Sequence, residues 1–120
     1  MLLNPEAEQF FSSRSAHSDV GDALFSSLKK LGEYETRGNI KEFGAPFVIT
    51  AETVFCGAAG MQDTFWRLRP DDHKIAIATG AEPAPIGKEW VKISLFRSDW
   101  PQPDLSHWSL RAYDFARIGK

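Results

Sequence analysis

The feature that most constrains this chain is a change of period near residue 33. Before it, apolar side chains recur at helical steps; after it, three runs alternate strictly. In "PFVITAETVFCG" Phe47, Ile49, Thr53 and Phe55 fall at even steps, and in "TFWRLR" Thr64, Trp66 and Leu68 oppose Phe65, Arg67 and Arg69. In "EWVKISLF" Val91, Ile93 and Leu95 oppose Trp90, Lys92, Ser94 and Phe96. Successive strand side chains point to opposite faces, so these runs predict an antiparallel meander with the aliphatic row of the last strand on its core side. Its first turn falls near Ala51 and Glu52, and a weaker strand is expected over 34–40.

The remaining segments carry helix punctuation. In "LNPEAEQFFSS" Asn4 can cap, Pro5 suits the first helical position, and Glu6 and Glu8 suit the positive end of the dipole. A polar link, "SRSAHS", leads to "SDVGDALFSSLKKLG", where Val20, Leu24, Leu28 and Leu31 form a stripe, Ser18 or Asp19 caps, and Gly32 ends the helix. In "PDDHKIAIATG" Ile75 and Ile77 alternate as in a strand, but Pro70, Asp71, Asp72 and Gly80 punctuate a helix, and helix is the prediction. The loop "CGAAGMQD" and the proline-rich "AEPAPIGK" separate these elements. A last helix over 104–117 presents Leu105, Trp108, Ala112 and Phe115, with Asp104 as its cap and Gly119 beyond its end.

The expected fold is therefore α+β: an antiparallel β-meander of four to five strands with N-terminal and C-terminal helices packed on it, plus a short helix before the last strand. Residues 1–17 are read as an N-terminal helix and linker, and 18–120 as a single domain whose sheet is covered by the helices at 19–31 and 104–117. A chain of 120 residues suits one core.

Charge and cysteine usage narrow the function classes. With 14 Lys and Arg against 16 Asp and Glu, the net charge of -2 supplies no general attraction for phosphate backbones, so a nucleic-acid role needs a local patch. One cysteine allows neither an intrachain disulfide nor a cysteine-rich zinc site. "MLLNPEAEQFF" has no basic leader, and no run approaches the roughly 18 apolar residues of a membrane span. The expectation is a cytoplasmic protein without membrane attachment.

No reaction is spelled out, and no catalytic residue, metal ligand or cofactor is predicted. A Cys56 nucleophile needs a histidine beside it, and His73 lies beyond the strand at 64–69, about 20 Å away at roughly 3.3 Å per residue. Ser15, His17 and Asp19 sit at steps of two, whereas triads are assembled from distant segments, so these read as capping and solvated residues. Asp104 and His107 share a helix face, but Asp104 is wanted as a cap. "GAAG" lacks the Lys-Ser or Lys-Thr pair of a phosphate loop and reads as a hairpin turn.

The order of elements, with Trp90-Val91 in the last strand and Ala112-Tyr113 in the closing helix, resembles the MmcQ/YjbR-like double-wing proteins. "ATGAEPAPIGKEWV" and "LRAYDFA" are similar to the bacterial luciferase-like domain of unknown function, although the histidine-rich strand motif of that group has no counterpart here. The first resemblance implies a double-wing fold and DNA binding by analogy.

The preferred contact surface is an outward sheet face. Phe65, Arg67 and Arg69 alternate together, and Lys92, Phe96 and Arg97 occupy the non-aliphatic row of the last strand, so adjacency of these strands predicts a basic and aromatic patch suited to stacking or to a protein interface. Trp100, in the extended "SDWPQPD", is the further binding candidate, or else a plug for the sheet edge. The functional expectation is a non-enzymatic binding module for protein or nucleic acid. The alternative is a small-molecule-binding protein or enzyme with a pocket between the sheet and the 81–88 loop.

Overall fold

The computed structural model describes residues 2–38, 42–96 and 104–118. Four helices and six strands follow in the order α1 (Pro5–Ser12), α2 (Ser18–Ser26), β1 (Glu35–Arg37), β2 (Phe47–Thr50), β3 (Thr53–Ala59), β4 (Asp63–Arg67), α3 (Pro70–Ala78), β5 (Glu82–Pro83), β6 (Trp90–Ser94) and α4 (Leu105–Ile118). The strands form one antiparallel sheet in the order β1-β2-β3-β4-β6-β5. The α+β class and the terminal helices are as the sequence predicts, with one strand more than its upper count. The extra strand is β5, inside the proline-rich loop; Pro83 is tolerated there because β5 lies at the sheet edge.

The sheet is buried on both faces, which the sequence reading did not anticipate. Cross-strand partners Phe47, Gly57, Phe65 and Lys92 share one face, and α1 lies on it. Phe11 stacks on Phe47 at 5.8 Å and meets Phe65 and Trp90 edge-on at 5.8 and 6.1 Å. Within β2, Thr50 is an odd step from Phe47 and accepts a hydrogen bond from Arg117 of α4 at 2.8 Å, so α4 covers the opposite face. α2 sits beside α4, where the Ser109 hydroxyl donates to the Ser27 carbonyl at 2.8 Å. Trp90 is consequently as buried as the aliphatic row, and the core is not confined to the Val91 side.

Several local assignments shift for physical reasons. The side chain of Asn4 makes no cap but bonds both backbone groups of Val54, donating to its carbonyl at 2.8 Å and accepting from its amide at 2.9 Å. Helix α2 is capped by His17, whose Nδ1 accepts from the Asp19 amide at 3.1 Å, rather than by Ser18 or Asp19. Gly57 to Ala59 belong to β3 and not to the loop, because Gly57 serves packing: a Cβ there would lie 2.5 Å from the Phe11 ring. Only Gly60, at φ 73°, takes the left-handed turn conformation in that segment. The link at 13–17 is pinned to the body, since the Gly60 amide donates to the Ser15 carbonyl at 2.7 Å and the His17 amide to the Gly60 carbonyl at 2.8 Å.

Helix α3 forms as its punctuation predicts, with Pro70 in its first turn. It is fixed to α4 by one ion pair: the Asp72 carboxylate, only 4% exposed, accepts from the Arg111 Nε at 3.1 Å on each oxygen and from Nη2 at 2.9 Å. This bidentate contact holds the guanidinium's pKa above its ordinary value. Two residues along a helix are about 200° apart, so Ile75 and Ile77 cannot both face the core. Ile75 is exposed, and Ile77 lies half-buried at the margin of the core.

Candidate functional site

The strands carrying the predicted contact residues are neighbours, since β4 pairs with β6 through Phe65 opposite Lys92 and Arg67 opposite Trp90. The face they were expected to share is not outward at Phe65, which is buried beneath Phe10 and Phe11. Arg67 and Arg69 converge on the ring of Phe115 in α4, their guanidinium carbons 4.1 and 5.2 Å from its centroid. The Arg67 Nε also donates to the Glu89 carboxylate at 2.8 Å, with the arginine side chain only 19% exposed. Lys92 lies farther along β6, and its ammonium is 3.9 Å from the carboxylate of Glu82, its cross-strand partner. Arg97 and Trp100 fall outside the described residues. The arrangement unites Arg67 with Arg69, pairs Arg67 and Lys92 with carboxylates, and removes Phe65 from the surface.

A second group of cations, which sequence reasoning missed, lines a cleft of about 590 Å³ beside α3. Pro70 and the half-buried Ile77 give it apolar walls over the fully buried Leu68, and Lys74, Lys88 and Glu89 give it polar ones; His73 also lines it. Leu68 is positioned by the Glu89 carbonyl, which accepts its amide at 2.9 Å, so the end of β4 and the start of β6 form one wall. The other wall is α3, held by Asp72 and Arg111. Lys74 and Lys88 are exposed and join no ion pair among the described residues, whereas Glu89 is already matched by Arg67. The signal for this site was the Ile75 and Ile77 pair: a helix that carries both must leave apolar surface outside the core.

A larger cavity, about 900 Å³, is an open groove at the β1–β2 edge of the sheet, lined by Glu8, Glu35, Arg37 and Arg117 among others. Its lining is net acidic and only part of its charge is paired, since Glu33 and Glu52 also line it and join no ion pair among the described residues. Arg37 bonds Glu8 and Glu35, and Arg117 donates to the Thr50 hydroxyl and lies over the Tyr113 ring. The α3 cleft is smaller but combines apolar walls with cations not yet engaged.

The residues considered for catalysis are occupied structurally. Cys56 is wholly buried in β3, and desolvation pushes its thiol pKa well up, which keeps it protonated and poorly nucleophilic. His17 caps α2, and Asp104 accepts from the His107 amide at 3.4 Å at the start of α4. Among the described residues no group of three His, Cys, Asp or Glu side chains could hold a metal ion, and no helix is long and apolar enough to cross a membrane. No family model matches the chain, and no curated protein or solved structure shows significant similarity to it.

Proposed function

We propose that this protein is a non-enzymatic binding module whose ligand is a small molecule seated in the α3 cleft. One observation carries the reading: in the cleft, apolar walls from Pro70 and Ile77 meet lysines that join no ion pair among the described residues, while Arg67 and Lys92 on the sheet already have partners. Ligand sites typically combine an apolar lining with a few polar groups, and about 300–1,000 Å³ is their usual size. This cleft differs from the pocket expected between the sheet and the 81–88 loop, since only Lys88 of that loop lines it.

An uncharged apolar probe tests the site itself. Titrating n-octanol into the ¹⁵N-labelled protein is expected to shift the amides of Leu68, His73, Ile77 and Glu89 together, with saturation. Shifts confined to the Glu8 and Arg37 groove, or no saturable shift, would overturn the reading. A macromolecular partner at Arg67 and Arg69, in line with the double-wing resemblance, is the second reading. It is favoured by the convergence of both guanidiniums on Phe115. It requires salt-sensitive binding of duplex DNA that Arg69→Ala weakens, and the small-molecule reading expects none.

A further inference from the structure

We infer that the cleft selects an amphipathic anion, one acid group on an apolar body; the inference rests on the cleft being the ligand site. The charge around it is one-sided. Of the groups lining it, Lys74 and Lys88 are cationic and Glu89 alone is anionic. Arg67 cancels Glu89 at 2.8 Å. On the neighbouring turn of α3, Asp72 is consumed by Arg111 at 2.9 Å, and Asp71 is exposed and does not line the cleft. Among the described residues, two ammonium groups thus stand without carboxylates beside an apolar wall, in a chain whose net charge is -2.

That combination discriminates between ligands in a defined way. The apolar body of any probe gains from leaving water against Pro70 and Ile77, whatever its head group. An acid head adds an attraction to the two lysines, an alcohol adds none, and an ammonium head is repelled. Because both lysines are exposed, each attraction is modest, on the order of a twofold to fivefold change in affinity.

The experiment compares octanoate, n-octanol and octylammonium on the full chain by amide shift titration at low salt, then repeats octanoate with Lys74→Gln, Lys88→Gln and the double variant. Octanoate is expected to bind about tenfold more tightly than octanol, with octylammonium weakest. Each single substitution should remove a few-fold of the octanoate preference, and the double variant should bring octanoate to the octanol value without changing octanol itself. Equal binding of octanoate and octanol at the cleft would overturn the anion preference while leaving the site intact. Failure of all three probes to shift cleft amides would overturn the site. Both lysines are exposed, so the variants are expected to fold as the parent does, and an unchanged amide spectrum outside the cleft checks this.

Discussion

The molecule holds two sets of cations that look alike in sequence and differ in kind. Arg67 and Lys92, on adjacent strands, are each bound to a carboxylate, and Arg67 also lies over the Phe115 ring. Lys74 and Lys88, from a helix and a loop, join no ion pair among the described residues and lie beside apolar side chains. A basic residue marks a binding surface only when the fold leaves its charge unanswered and places something apolar beside it. The first pair therefore acts mainly within the fold, and the second faces outward.

The largest effect on this contrast should come from the contact that holds the helix wall of the cleft. Arg111→Leu strands the Asp72 carboxylate, which is 4% exposed, without a partner. Loss of one partner from a buried pair costs about 3–5 kcal/mol, and the low end applies because the Arg111 side is open to water. Urea unfolding should show a loss of that order together with weakened octanol binding. Undiminished octanol affinity would separate the cleft from the clamp.

Next comes Arg67→Met, which removes the partner of Glu89 and bares a carboxylate at the rim of the cleft. Stability should fall by about 1 kcal/mol, since Glu89 is 44% exposed and can be rehydrated. Octanoate should weaken more than octanol, as read by titration. Smallest of all is Lys92→Gln: its partner Glu82 is 61% exposed, so stability should move by less than about 0.5 kcal/mol and octanoate affinity should stay unchanged. A large loss of octanoate binding in this variant would merge the two sets of cations into one surface.

The fold was legible where a local rule had one reading. Alternation located β2, β3, β4 and β6, and the hairpin turns at Ala51 and Glu52 as expected, both residues adopting positive φ of 50° and 61°. Proline and aspartate at the start of α3 decided an ambiguous segment correctly. What was not legible depended on partners distant in sequence. Alternation shows that Phe65 and Trp90 oppose an aliphatic row, but not that Phe11 from α1 will cover them. Gly57 looks like a turn residue until the aromatic ring above it is known.

The site was legible only in part for the same reason. Arg67 and Arg69 were predicted to act together, and they do meet at Phe115, but a residue in α4 brings them there. Which cations are paired, as Arg67 is with Glu89, depends on how loop and helix dock. Lys74 and Lys88 lie fourteen positions apart with β5 between them, and no periodicity links them.

In the proposed mode of binding, the α3 cleft holds the apolar body of an anionic ligand. Intermolecular NOEs measured on the ¹³C-labelled protein with unlabelled octanoate test it most directly. Contacts from the octanoate chain to the methyl groups of Leu68 and Ile77 are predicted. Contacts instead to Leu2 and Ile49, in the groove at the β1–β2 edge of the sheet, would overturn this assignment.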